Sequence, residues 1–239
     1  MQNLINTNKI SVSIILCTYN EAAVIKNTIE EIFKYNINCE IVIVDDNSKD
    51  NTVKIINEFN DSRITLIERK SRGLASACLT GLIFSKSEIV CWIDSNLPDL
   101  APKISNMIKE IREKNIVIMS RYVDGGGDKR STQRILTSRL INFACRVFLG
   151  NDTKDYTSGI FVMKKNTLKE VLPLGYGHGE YFIEFIYKAK KNGYKITELP
   201  YIQPADLEGL SKTASSVYRF WKTGLSYFLR IFITLLNRN

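Results

Sequence analysis

Apolar and polar positions along the chain alternate between two rhythms. Val12 to Cys17 is an almost unbroken, β-branched apolar run closed by Thr18-Tyr19-Asn20-Glu21, after which Ile25, Ile29, Ile32 and Phe33 recur at helical spacing. That predicts strand, loop, helix. The cycle repeats: Glu40 to Asp45 reads as a buried strand ending in the paired acids Asp45-Asp46, and Asn47-Ser48-Lys49-Asp50 supplies the turn and cap of a helix through Ile55-Ile56. Ile64 to Ile67 is a short third strand. Ser71 to Ala77 is a loop opening a helix of small residues, Glu88 to Asp94 a fourth strand, and Ile116 to Met119 a fifth after a helix through Ile104 and Ile111. Strands and helices in such short alternation call for an α/β fold with a mainly parallel central sheet covered by helices on both sides.

The second half has a different texture. Gly125 to Gly127 reads as a mobile loop, and Arg134, Ser138, Asn142 and Arg146 then line one side of a helix at i, i+4 spacing, with Leu136, Leu140, Phe143, Val147 and Phe148 elsewhere on it. A basic helical face is ordinarily just solvated. Ile160 to Met163 predicts a short strand, His178 to Lys191 a helix carrying Glu180 and Glu184, and Lys195 to Leu199 a last strand. From Ser216 onward, Arg219, Thr223, Ser226, Arg230, Thr234 and Asn237 oppose an aromatic and aliphatic stripe that includes Phe220, Trp221, Leu225, Phe228, Leu229 and Phe232. Such a segment either lies in a membrane interface or docks on its own domain or a second subunit; its many rings favour the interface.

The apolar run at Ile89 stops abruptly at Asp94-Ser95-Asn96. Ligand crevices of open α/β sheets lie off the carboxyl ends of strands, and a carboxylate plus an amide there suits Mg²⁺ or Mn²⁺ shared with substrate phosphates. The bland alternative is that Asp94 caps the helix near Pro98. Three strand ends are polar or acidic, however: Thr18 to Glu21, Asp45-Asp46 and Asp94 to Asn96. One shared site explains them better than three separate caps, with Asp45 or Asp46 accepting hydrogen bonds from a base or ribose.

Composition narrows the partners. The 239 residues carry a net charge of +8, with 44% hydrophobic and 24% charged positions, an ordinary globular balance that favours anionic ligands. No RNA- or DNA-binding signature is present, so nucleic acid is the least favoured. Five widely spaced cysteines sit mostly in apolar runs and read as free core thiols of a reducing compartment, hence a cytoplasmic setting. No run approaches the ~20 apolar residues of a membrane span. His178 is the sole histidine, which excludes a histidine-rich metal site.

Together, Thr18-Tyr-Asn-Glu21, Asp45 to Thr52, Arg72 to Ala77, Asp94-Ser-Asn-Leu, Ser120-Arg-Tyr with the glycines, Arg134 to Arg139, Asp155 to Gly159, Glu184, Glu198-Leu-Pro200 and Gly209 to Lys212 resemble the family-2 inverting glycosyltransferases, and among them the dolichyl-phosphate mannose synthases and related polyprenyl-phosphate glycosyltransferases. The likeness spans about residues 11 to 213. It implies a glycosyltransferase A fold that passes a sugar, with inversion, from a nucleoside diphosphate sugar to a polyprenyl phosphate. By motif match it places Thr18, Tyr19, Glu21, Asp45, Asp46 and Arg72 around the nucleotide and Asp94 and Asn96 at the metal and diphosphate. It puts Arg121, Arg134 and Lys212 on phosphates and Asp155 near the acceptor. The expected organisation is a catalytic domain over residues 1–213 and a membrane-interface segment over 214–239, making a peripheral membrane enzyme. Asn96 and Asp206 stand where the family usually has an acid and an arginine, and Pro98 at a further polar position. Two other readings stay open: transfer to a soluble glycan or polysaccharide precursor, and a nucleotide-binding homologue with weakened catalysis.

Overall fold

The computed structural model describes residues 12–35, 38–173, 176–205 and 217–236, with only the backbone helix described over 217–223. Seven strands form one sheet in the order β3-β2-β1-β4-β7-β5-β8. They are β1 (Val12–Thr18), β2 (Cys39–Asp45), β3 (Ile64–Glu68), β4 (Ile89–Trp92), β5 (Asn115–Ser120), β7 (Phe161–Lys164) and β8 (Lys195–Pro200). All neighbours pair in parallel except β7, which runs antiparallel between β4 and β5. The mixed sheet thus has the glycosyltransferase A arrangement expected from the motifs.

Alternation along the strands sends side chains to two cores. Ile14, Leu16, Ile41, Ile43, Cys91 and Val117 pack with α1 (Ile25–Tyr35) and α4 (Ala101–Lys109) on one face. Ile15, Val42, Val90, Trp92, Ile116 and Phe161 pack on the other with α3 (Leu74–Phe84), α5 (Thr132–Leu149) and α6 (Tyr181–Lys191). Cys39, Cys78, Cys91 and Cys145 are buried and Cys17 half-buried, all as free thiols. The helix expected from His178 begins three residues later, at Tyr181, because Gly177 adopts a left-handed φ of +96°.

Two features depart from the sequence reading. Gly125 to Gly127, expected to be mobile, fold tightly back: a Cβ on Gly126 would lie 2.7 Å from the Ser120 carbonyl oxygen. Gly127 then opens a two-residue strand, β6 (Gly127–Asp128), paired in parallel with β9 (Ile202–Gln203). The polar stripe of α5 also faces inward rather than to water. Asn142 is buried, accepting from the Tyr156 backbone N–H at 2.7 Å and donating to Thr157 Oγ1 at 2.7 Å, while Ser138 meets the Tyr122 hydroxyl at 2.8 Å. Leu136, Leu140, Phe143, Val147 and Phe148 are the exposed residues instead.

The last helix, α7 (Val217–Leu236), lies against α5 and α6 and is inverted in the same sense. Its polar residues Arg230 and Thr234 are buried, whereas Leu225, Leu229, Phe232, Ile233 and Leu236 are exposed. Arg230 is held by Glu184 of α6 at 3.2 Å and by the Tyr176 hydroxyl at 3.1 Å, and Phe232 meets Phe148 of α5 with ring centroids 5.9 Å apart. The boundary expected at residue 213, Lys212, Asp206 and the side chains of Phe220 and Trp221 lie outside the described residues.

Candidate active site

Strand order decides which loops meet. Because β1 lies between β2 and β4, the segments after Thr18, Asp45 and Trp92 emerge side by side at one edge. The Ile93 N–H reaches the Ile15 carbonyl at 3.4 Å and the Ser95 hydroxyl donates to the Cys17 carbonyl at 2.9 Å, tying the Asp94 turn to β1. Half-buried Cys17 registers the convergence: burial pushes its thiol pKa up, and among the charges acting on it are Asp46, Arg69 and Asp94.

The first two loops clasp each other through residues that tolerate unusual backbone. Asn20 and Asn47 take left-handed φ values of 54° and 63°, which asparagine tolerates better than most side chains. Asn20 donates its N–H to Ser48 Oγ at 2.9 Å and accepts from the Lys49 N–H at 2.7 Å; the Glu21 N–H meets Thr52 Oγ1 at 2.8 Å. Asp45, expected at the nucleotide, is fully buried and spends its oxygens inside the protein. It accepts from Thr18 Oγ1 at 2.7 Å, the Ser48 N–H at 2.8 Å and the Ser48 hydroxyl at 2.6 Å. Thr18 and Asp45 thus shape the loop on which the other residues sit.

Asp46 is the next carboxylate outward. Arg69 grips it through Nε at 2.8 Å and Nη2 at 2.5 Å, and the Gly73 N–H donates to its second oxygen at 2.7 Å. Arg69 also reaches Ser76 Oγ at 3.1 Å and the Gly73 carbonyl at 3.1 Å, so it fixes the start of α3. Over this floor Arg72, exposed, places its guanidinium carbon 3.5 Å from the Tyr19 ring centroid, a cation–π shelf at the rim.

Asp94 does not cap the following helix. The turn Pro98–Leu100 and α4 have no side-chain cap, and only the Asp94 carbonyl is used, accepting the Leu97 N–H at 3.2 Å. Burial foremost, and then the Glu21 carboxylate, push its pKa up to about 6 against the opposing pull of Arg130 and Arg121. A carboxylate under that pressure is relieved by a cation. Asp94, the exposed Asn96 and nearby Glu21 offer oxygen donors only, which suits Mg²⁺ or Mn²⁺. Among the described residues no three acidic, histidine or cysteine side chains form a metal cage, so these donors fit an ion that keeps waters and is shared with a diphosphate.

Arg121 and Asp155, expected to act on phosphate and acceptor, are spent chiefly on each other. Arg121 donates through its N–H and Nε to one Asp155 oxygen at 3.0 and 2.8 Å and through Nη2 to the other at 2.7 Å; Asp155 is fully buried. Burial opposes the Arg121 charge, but Asp155 outweighs it and holds the guanidinium pKa above its ordinary value. Glu198 closes the shell by accepting the Lys154 and Asp155 N–H groups at 2.7 and 3.0 Å. Arg134 sits half-exposed at the start of α5 and acts on His178 in the loop before α6.

Several residues entered the site without being singled out from the sequence. Arg69 could have been found, since it follows β3 as the acids follow β2 and β4. Arg130, forked onto Asp128 at 2.8 and 2.5 Å, acts on Asp94 through the β6–β9 ribbon, a pairing too short to leave a periodic signal. Tyr201 lies between β8 and β9. Tyr227 of α7 places its hydroxyl where a Cβ of Gly179 would project, and Asp94, Arg121, Arg130 and Glu180 all act on its phenol. The C-terminal helix therefore forms part of the site's wall.

Comparison with known proteins agrees with this geometry. Residues 13–172 match the family model described as glycosyl transferase family 2, and the chain belongs to that family of glycosyltransferases. It is 31% identical over 217 residues to a dolichol-phosphate mannosyltransferase of Pyrococcus furiosus, covering 84% of this chain and 58% of that one, so it spans little more than half of that relative's length. It is 25% identical over 217 residues to a polyprenol monophosphomannose synthase of Mycolicibacterium smegmatis, covering 86% and 82%. A solved structure of glucosyl-3-phosphoglycerate synthase from Mycobacterium tuberculosis, with Mn²⁺, UDP and glucosyl-3-phosphoglycerate, shares the fold at a TM-score of 0.71 and 16% identity, over 96% of this chain and 81% of that one.

Proposed function

We propose, with family membership as the premise, that this glycosyltransferase moves a sugar from a nucleoside diphosphate sugar to the phosphate of a polyprenyl lipid at a membrane surface. The observation that carries the lipid acceptor is the outward apolar face of α5 and α7. Their buried polar stripes and exposed Leu136, Leu140, Phe143, Leu225, Leu229 and Phe232 reverse what water would select, and the two helices touch at Phe148 and Phe232. A hydrocarbon surface is the solvent that such a face fits, and Tyr227 on its inner side adjoins the site. The names of the Pyrococcus and Mycolicibacterium relatives point to the same class of acceptor. On this reading residues 1–213 are the catalytic unit and 214–239 its membrane-interface segment, and the enzyme works bound to a membrane without spanning it. Among the described residues no helix is long and apolar enough to cross one.

The chemistry asks little of a base. A phosphate monoester has a second pKa of about 6, so its oxygen is already anionic near neutrality and needs positioning. That oxygen attacks the anomeric carbon from the face opposite the diphosphate. The new C–O bond forms as the bond to the diphosphate breaks, and the nucleoside diphosphate leaves with the electron pair, inverting the configuration. Asp46, Arg69 and the Tyr19–Arg72 shelf hold the nucleoside end, and Glu21 borders the sugar. Arg134 and Lys212 neutralise phosphate, while Arg121, locked by Asp155, contributes a fixed positive potential. Mg²⁺ or Mn²⁺ at Asp94 and Asn96, as in the Mn²⁺-bound neighbour, would neutralise charge on the leaving diphosphate.

The test is transfer from labelled GDP-mannose and UDP-glucose in the presence of Mn²⁺ and vesicles containing polyprenyl phosphate. Label extractable into organic solvent supports the reading. Label appearing only in a water-soluble glycoside assigns a soluble acceptor instead, and nucleotide binding without turnover assigns a homologue that has lost catalysis.

A further inference from the structure

Tyr201 and Asp94 carry complementary, unused hydrogen-bonding capacity in one pocket. Tyr201 follows β8 and is anchored by its backbone on both sides: its N–H donates to the Ser120 carbonyl at 2.9 Å and its carbonyl accepts from the Gly127 N–H at 3.0 Å. Its ring is 3% exposed, yet its hydroxyl finds no partner among the described residues. Most buried hydroxyls are satisfied, and leaving one unpaired costs about 1–3 kcal/mol. The charged group that acts on this phenol most strongly is Asp94, followed by Arg121, Arg130 and Asp99. Burial keeps the phenol protonated and therefore a donor. Asp94, for its part, has an acceptor-only carboxylate for which no hydrogen bond from a described residue is found, although its neighbours on either side, Ile93 and Ser95, are tied to β1.

We propose that Tyr201 is a positioning residue for Asp94: its hydroxyl is the donor that orients the Asp94 carboxylate when the sugar nucleotide and its divalent cation are bound. Carboxylates that hold metals are generally oriented by hydrogen bonds from a surrounding shell, and loss of one such bond typically costs 10- to 100-fold in metal affinity or activity. Here the surrounding shell is thin. Asn96 is exposed, three-residue cages are absent among the described residues, and Tyr201 is the neutral donor that the fold buries in the field of Asp94. The unsatisfied hydroxyl of the free enzyme is the cost of that preorganisation, a local violation of good packing of the kind that functional sites retain. The inference rests on the metal-assisted sugar transfer proposed above.

Tyr201→Phe removes one oxygen and keeps the ring, so packing is preserved. Mn²⁺ affinity, measured by titration in the presence of saturating GDP or UDP, should fall about tenfold in the variant. The kcat for transfer should fall by a similar factor while the KM for the sugar nucleotide changes less, and the Tm of the free variant should equal or exceed that of the wild type. Unchanged Mn²⁺ affinity and kcat overturn the inference. So does a lowered Tm with unchanged Mn²⁺ affinity, because the hydroxyl would then be serving the fold. Wild-type protein that binds no Mn²⁺ under any of these conditions overturns the metal reading itself, and with it this inference, whereas a normal wild type beside an indifferent variant overturns the inference alone.

Discussion

Removal of the Asp155 carboxylate should unfold this protein at a much lower temperature. In Asp155→Ala the Arg121 guanidinium, 8% exposed, loses both arms of its fork, and its own backbone N–H loses an acceptor. Breaking a buried ion pair by deleting one partner costs about 3–5 kcal/mol because the other charge stays buried. The remaining contact of Arg121 with Asp128, at 3.8 Å, is too long to compensate. At about 2–4 °C of Tm per kcal/mol for a chain of this size, the loss is roughly 10 °C. Thermal denaturation followed by circular dichroism measures it directly. The double variant Arg121→Met/Asp155→Leu leaves no unpaired charge and should recover much of the loss, which neither single change can do. A Tm for Asp155→Ala within about 2 °C of wild type would refute the framework role. It would return Asp155 to the acceptor side as a free carboxylate.

Asp94→Asn should separate stability from activity. A carboxyl whose folded pKa is raised to about 6 favours the fold when protonated, and that advantage is lost as the pH climbs from about 4 through 6. The variant should therefore match wild type near pH 4, exceed it in chemical denaturation at pH 7.5, and transfer no sugar; equal stability at both values would remove the strain assigned to Asp94. Protons should also compete with Mn²⁺ for the same carboxylate, so apparent Mn²⁺ affinity should decline as the pH falls below about 6, and a flat profile between pH 5 and 7.5 would place the ion elsewhere. Leu229→Glu and Phe232→Glu change exposed positions of α7, and each should reduce flotation with anionic vesicles while leaving Tm within about 2 °C. Undiminished flotation in both would detach that face from the membrane. Asp46→Ala frees Arg69 and the Gly73 N–H and should weaken GDP or UDP binding by tenfold or more, about 1.4 kcal/mol; unchanged binding would exclude the Arg69 loop from the nucleotide site.

Much of the framework was legible because it is written in period-2 and period-3.6 patterns. The runs at Val12, Glu40, Ile89 and Ile116 form strands where expected, and strand order carries the acids at their ends to one edge. What could not be read was which acid faces outward. Asp45 and Asp46 are neighbours in sequence, and only the register of β2 with β1, which sets Asp45 opposite Thr18, buries the first and presents the second. The direction of β7 was hidden as well, because a four-residue apolar run looks alike in parallel and antiparallel pairing. Helix amphipathicity was legible in period but not in sense: α5 and α7 show the expected stripes, yet both turn the polar one inward. Arg121 and Asp155, far apart in sequence, each match a family motif, but their mutual fork exists only once β5 and the loop before β7 are packed together.

The account depends on the loops after β1, β2 and β4 forming one nucleotide pocket whose affinity is governed by Asp94. Isothermal titration of GDP and UDP, with and without Mn²⁺, into wild type and Asp94→Ala measures that dependence directly. One of the two nucleotides should bind wild type at least tenfold more tightly with Mn²⁺ than without, and the variant should lose the Mn²⁺ increment while retaining the metal-free affinity. A Mn²⁺ increment that survives in Asp94→Ala, or no binding of either nucleotide to the wild type, would contradict it.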